Sequence, residues 1–347
     1  MKNKIFIITL FVLLVSTATH CFINKEHYRQ LADATPLMLE RAKDLSDILE
    51  TQKGLRTGAY LYSSTINMYE NNLEKLAVRL HLLGITDVYT SFPYKEDEDQ
   101  QFLNFKKLVW EFDKYKIKVY ARGIESGHFF VSDEGIYSIC NRIEEYNQKV
   151  NVNERIIGIS ADLEPHMMKA GRSIVPKELT WIWDGEKGWG IGNDNDRGLK
   201  RTVEVMQLAK NTLPAGLKLN EAINVGWQRR YNEGGLLEWG SAHQFLEHCD
   251  YLIAMAYSNQ AETIFSMSEP ILSNAKDLKK SVSIAVKTKK PRDIEDQYSI
   301  STSLEPAGWD NMLNSLEYVI KKAKEYPSFR GIDFFEFASL EEMWQSE

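Results

Sequence analysis

The 347 residues, 43% hydrophobic and 26% charged, are enough for one large α/β domain. A formal net charge of −7 excludes the basic stripe of a nucleic-acid surface, so no nucleic-acid partner is expected. The 8 Trp, 16 Tyr and 15 Phe supply rings that both fill cores and stack on sugars.

The chain opens Met1-Lys2-Asn3-Lys4, runs apolar from Ile5 to Val15, then gives Ser16-Thr17-Ala18. A basic start, a short apolar run and small residues describe a secretory signal over 1–18, with cleavage expected after Ala18. That implies a secreted or periplasmic protein. The apolar run is too short to cross a membrane, which takes about 20 residues. Cys21 raises the alternative of a lipoprotein anchor, although His20 before it is a poor fit to a lipobox. Cys140 and Cys249 fall in predicted helices and read as small buried hydrophobes, with no disulfide framework.

Residues 22–55 read as a charged helical extension. Leu31, Met38, Ala42, Leu45 and Leu49 line one helical face, which is expected to pack on the outside of the domain. From 56 to 347 the pattern alternates. Strands are predicted at Thr57–Tyr62, Thr86–Ser91, Ile117–Arg122, Ile156–Glu164, Leu217–Gly226, Asp250–Ser258, Ser281–Thr288 and Arg330–Phe337. Helices are predicted at Tyr69–Leu83, Gln101–Tyr115, Glu134–Lys149, Gly198–Thr212, Ser241–Cys249, Ser266–Lys279 and Trp309–Tyr326. Eight strands alternating with helices over roughly 290 residues predict a single α/β domain, a (β/α)8 TIM barrel. An open dinucleotide-binding sheet would need a glycine-rich first turn, and none is present.

In such a barrel, function gathers where strands end. On the fourth strand Ile157, Ile159, Ala161 and Leu163 alternate with Gly158, Ser160, Asp162 and Glu164, so the two acids project together before Pro165 stops the strand. Buried carboxylates are costly unless used or paired. The pair therefore reads as acids presented at the barrel mouth, or as partners of Arg122 on the neighbouring strand. Other strand ends bring Tyr60 and Tyr62, Arg122 followed by Glu125 and His128, Trp227 with Arg229 and Arg230, Met255 and Tyr257, and Asp333, Phe335 and Glu336. The long connection from Pro165 to Asn195 holds Trp181, Trp183 and Trp189, which either stack under sugars or fold the loop on itself. Tyr257 is either a ligand clamp or a core tyrosine.

Asp194 and Asp196 lack the glycine and final glutamate of an EF-hand, and His128 and His166 lack metal-ligand spacing. No metal and no cofactor are expected. Lys287, Lys289 and Lys290 form a solvated strand end, or a cation at the mouth that neutralises an acidic ligand.

Asp162-Leu163-Glu164, Met255-Ala256-Tyr257 and Gly331-Ile332-Asp333-Phe334-Phe335-Glu336 together resemble the family 18 glycoside hydrolases, the chitinases and their relatives. The resemblance implies Glu164 as the acid that protonates the glycosidic oxygen. It implies Asp162 as the group orienting the substrate's N-acetyl group, Tyr257 as a clamp on that group, and Phe335 as the floor of the sugar site. This chain departs from the family at Ile157 and Ser160, where upstream acidic residues are expected, and at Ser258, where an Asp follows the Tyr. Ser160 can still hydrogen-bond Asp162.

The residues carry the chemistry without the family name. Glycoside cleavage needs a carboxyl that stays protonated until it donates, and a like charge one strand repeat away or partial burial raises a pKa. The end of strand seven, Ala285-Val286-Lys287-Thr288, holds no carboxylate to act as nucleophile, which favours assistance by the substrate's acetamide or no catalysis. The expectation is an exported monomeric glycoside hydrolase cleaving N-acetylhexosamine-containing glycans, chitin-like or peptidoglycan-like. The alternatives are an inactive carbohydrate-binding barrel, or a two-carboxylate retaining glycosidase using Glu336 or Asp333.

Overall fold

The computed structural model describes residues 26–50, 54–93, 100–125, 127–130, 132–165, 193–233, 237–291 and 296–346. The predicted signal, Cys21, His166 and the tryptophans at 181, 183 and 189 lie outside them.

Eight parallel strands close on themselves in sequence order. They are β1 (Arg56–Leu61), β2 (Asp87–Ser91), β3 (Lys118–Ile124), β4 (Gly158–Ala161), β5 (Lys218–Asn224), β6 (Tyr251–Met255), β7 (Val282–Lys287) and β8 (Phe329–Phe335), and β8 pairs back onto β1. Helices follow the strands, so the chain is a (β/α)8 barrel. All eight predicted strands are present, most trimmed by a residue or more at an end. The largest trim is on β4, which stops at Ala161 instead of Glu164.

Two apolar populations follow from the period-2 alternation. Outward side chains such as Ile159, Ala161 and Leu163 join the large core under the helices. Inward, Tyr60, Tyr89, Tyr120, Ala222, Tyr251, Ile253 and Ala285 fill the cylinder. Ile157, grouped by sequence with the outward set, sits just before β4 begins and packs on this inner cluster instead. Ring centroids 5.0 Å apart for Tyr60 and Tyr89, and 5.5 Å for Tyr89 and Tyr120, make the interior a stack of phenols. Gly58 makes room for it: a Cβ there would lie 2.0 Å from Asp333 Oδ1. The lower end is charged. Fully buried Asp87 accepts from Arg56 Nε at 2.9 Å and Arg330 Nη2 at 3.0 Å, while the Arg330 guanidinium lies 3.8 Å from the centre of the Tyr251 ring.

The N-terminal extension is two helical pieces and not one. Residues 26–32 are helical, and a second helix spans Pro36–Leu49. Pro36 forces the break, since the residue before a proline is pushed out of the helical region. Thr35, extended, caps the second helix by accepting the Met38 N–H at 3.2 Å. Met38, Ala42, Leu45 and Leu49 are buried as their spacing predicts. The indole of Trp344, on the last helix (Phe337–Gln345), donates to Met38 O, and Arg41 donates to the carbonyls of Met343, Trp344 and Ser346. Burying a large apolar side chain contributes about 1.5–3 kcal/mol, so fully buried Trp344 is a substantial tie between the extension and the barrel.

Candidate active site

Beyond Ala161 the main chain stays pinned to both neighbouring strands. The Asp162 N–H donates to Ile124 O on β3 at 2.9 Å, and the Leu163 N–H donates to Glu221 Oε1 on β5 at 3.0 Å. Leu163 is fully buried in the outer core, whereas Asp162 and Glu164 remain partly exposed at the C-terminal face. The segment is thus anchored by its apolar residue and presents the flanking acids.

Asp162 Oδ1 is buried and has no hydrogen-bond partner among the described residues. Burial pushes the Asp162 carboxyl up to about 8, helped by the charges of Glu164 and Glu125 and opposed by Arg122. Arg122 does not take either acid of the pair. It forks onto Glu125, with Nε and Nη2 donating at 2.5 and 2.7 Å, and its guanidinium lies 4.7 Å from the centre of the Tyr62 ring. The alternative that Asp162 and Glu164 serve Arg122 as a structural pair is not what the structure forms.

Phe335 is the hub of the aromatic floor. Tyr257 stacks on it with centroids 5.7 Å apart and an interplanar angle of 26°, and Tyr60 and Tyr62 meet it edge-on at 5.6 and 6.2 Å. Burial, and then the charges of Asp162 and Glu164, hold the Tyr257 hydroxyl well above its usual range, as expected of a phenol close to the acids. Met255 lies on the same inner side.

The remaining carboxylates are placed differently. Asp333 is fully buried one layer down, accepts the Tyr89 hydroxyl at 3.2 Å, and is pushed up to about 6 by burial against the pull of Arg330. Glu336 follows Phe335 through a cis peptide bond and pairs with Lys289 at 3.3 Å.

Two expectations need correction. Trp227, expected at the sugar site, is 1% exposed and stacks on Phe245 with centroids 6.0 Å apart, in the layer under the helices. It follows the end of β5 on a helix (Val225–Asn232) that turns it into the core; Arg230 and Arg229 of that helix pair with Glu233 at 2.9 and 3.8 Å. Ser160, a candidate partner of Asp162, donates instead to Asn220 Oδ1 at 2.7 Å. From there Asn220 Nδ2 donates to the Tyr251 hydroxyl at 2.8 Å, and Tyr251 meets the Tyr89 hydroxyl at 3.2 Å, so a polar chain crosses the barrel to Asp333. Ser258 is nearly buried, its hydroxyl accepting the Gln260 N–H at 3.1 Å at the start of the next helix.

Sequence reasoning missed Asn220 and Glu221. Their signal was two adjacent polar residues in mid-strand, where alternation places one on each face of the sheet. Glu221 is fully buried, and burial holds its carboxyl well above the usual range, against the Leu163 N–H that favours the charge.

No protein-family model matches the chain, and no curated protein sequence does. The fold does have neighbours: this is the (β/α)8 barrel found in family 18 glycoside hydrolases. A GH18 chitinase from Pseudoalteromonas aurantia superposes with a TM-score of 0.52 at 15% identity, over 83% of this chain and 97% of that one. A chitinase from Bacteroides thetaiotaomicron does so with a TM-score of 0.50 at 11% identity, over 82% and 90%. Among the described residues no helix is long and apolar enough to cross a membrane.

Proposed function

We propose that the chain is an exported glycoside hydrolase acting on N-acetylhexosamine-containing glycans, with Glu164 as general acid and the substrate's own acetamide as nucleophile. The observation that carries this reading is the acid pair itself: Asp162 holds a proton up to about pH 8 beside Glu164, at the edge of a floor made by Phe335, Tyr257 and Tyr62. The export half rests on the basic, apolar and small residues of 1–18.

The pair carries the proton that Glu164 delivers to the leaving oxygen as the glycosidic C–O bond breaks. The acetamide oxygen closes on the anomeric carbon, and the positive charge that builds on the amide is balanced by Asp162, now ionised. Water then attacks that carbon, gives its proton to Glu164, and releases the sugar with its acetamide restored. The Tyr257 hydroxyl, kept neutral, is a donor for the acetamide. Asp333 is a poor nucleophile because it lies sealed among tyrosines, and Glu336 is engaged with Lys289.

A second reading, a carbohydrate-binding barrel without turnover, draws on Ser160 being tied to Asn220 and on Ser258 serving its own turn. Turnover of chromogenic N-acetylglucosaminides by wild type, Glu164→Gln and Asp162→Asn separates the two. Removal of a general acid lowers the rate by about 10²–10⁴-fold. Negligible rates in all three proteins, with oligosaccharide binding retained, select the second reading.

A further inference from the structure

The barrel mouth has three described cations near its aromatic floor, and two of them are matched. Arg122 is held by Glu125, and Lys289 by Glu336 while lying 5.5 Å from the centre of the Phe335 ring. Lys287 is the exception. Ser283 and Ala285, four and two residues earlier on β7, face the barrel interior, one bonded to Arg330 and the other packed on the tyrosines. Alternation therefore turns Lys287 to the same side, at the rim, where it pairs in register with Phe335. It is half-buried, and its Nζ donates to Thr302 Oγ1 at 3.1 Å. Among the described residues no carboxylate comes within 4.0 Å of it to form an ion pair. Asp296, whose charge reaches it, is exposed and accepts from the N–H and hydroxyl of Ser299.

We propose that Lys287, steadied by Thr302, forms a carboxylate-binding subsite at the mouth, so that the glycan taken up there carries an acidic group on the sugar next to the one over Phe335. This rests on the reading of the mouth as a glycan site and names the substrate class within it. A partly desolvated ammonium with no ion-pair partner among the described residues is costly, and an incoming carboxylate relieves that cost. Burial, and then the charge of Lys289, depress the Lys287 ammonium, against the opposing charge of Asp296. The carboxylate comes on a lactyl ether or as a uronate; the shared chemistry is one anionic group within reach of Nζ, while the Thr302 hydroxyl, donating to Tyr298 O at 3.0 Å, only fixes the ammonium.

Calorimetric binding tests this without requiring turnover. The ligands are the N-acetylglucosamine–N-acetylmuramic acid disaccharide, an N-acetylglucosamine–glucuronic acid disaccharide, and the methyl ester of each, titrated into Glu164→Gln protein so that none is consumed. At least one acid binds about tenfold more tightly than its own ester, a difference typical of one ion pair shielded from water. Which acid does so identifies the source of the carboxylate. Lys287→Met brings that ratio close to one and Lys287→Arg keeps it, which guards against a merely unfolded variant. Acid and ester binding equally in the Glu164→Gln background overturns the subsite and leaves the glycan reading standing. Absence of binding by all four ligands overturns both.

Discussion

Glu221 and Leu163 meet across the β4–β5 boundary, carboxyl oxygen to main-chain N–H, 3.0 Å apart and wholly buried. The contact falls at the one residue between the two candidate acids. A general acid depends on sub-ångström placement, so in the proposed reaction this bond would hold Glu164 in place through the backbone.

Glu221→Gln keeps an oxygen for the Leu163 N–H, whereas Glu221→Leu removes it and leaves a buried donor unpaired, at a cost of about 1–3 kcal/mol. The leucine variant is expected to lose turnover about 10–100-fold with KM little changed, and the glutamine variant to stay within a few-fold of wild type. Steady-state kinetics on both, beside their melting temperatures, checks the claim. Full turnover in the leucine variant removes Glu221 from any positioning role.

The Asp162 carboxyl titrates higher in the folded chain than in the unfolded one, so folding favours its protonated form. Between about pH 4 and pH 8 the unfolded chain has given up that proton while the native state holds it, and stability falls as pH rises through this window. Asp162→Asn deletes the penalty. Its unfolding free energy should match wild type near pH 3 and exceed it increasingly up to pH 8, by at most about 1.4 kcal/mol per pH unit, while turnover drops. A constant offset at every pH would contradict this.

At the closed end, Asp87 is the shared counter-charge of Arg56 and Arg330. Asp87→Ala strands both arginines, and breaking a buried pair in this way costs about 3–5 kcal/mol. Urea denaturation should show that loss in Asp87→Ala and a partial recovery on adding Arg330→Met. Additive effects of the two substitutions would mean the charges are not coupled.

Tyr62 and Trp227 separate the site from the core. Tyr62 lies between Arg122 and Lys289 at the mouth, 4.7 and 5.4 Å from the centre of its ring, and Trp227 is 1% exposed beneath the helices. Tyr62→Ala should weaken oligosaccharide affinity about tenfold with a small change in melting temperature. Trp227→Ala should cost about 3–5 kcal/mol of stability. Loss of glycan affinity in a still-folded Trp227→Ala protein would return that residue to the site.

The barrel was legible because strand and helix periods alternate so regularly that Ile159, Ala161 and Leu163 could be assigned outward before any coordinates. Tyr60, Tyr62 and Tyr257 were expected at strand ends, and Phe335 as a floor only through the family resemblance. Trp227 was misplaced because one residue past a strand end the chain had already begun a helix, and parity no longer says which way a ring points. Ser160 was misassigned for a different reason. A hydroxyl chooses among neighbours on adjacent strands, and Asn220 is sixty positions away in sequence but opposite it in register. Glu221 stood out only as a polar residue in mid-strand, and that it is buried depends on neighbours the sequence does not show.

Arg41 reaching the carbonyls of Met343, Trp344 and Ser346, with the Trp344 indole returning a bond to Met38, ties the segment ahead of the first strand to the one behind the last. Trimming the polypeptide to its eight-fold repeat would therefore uncover an indole and cut a staple at the seam between β8 and β1.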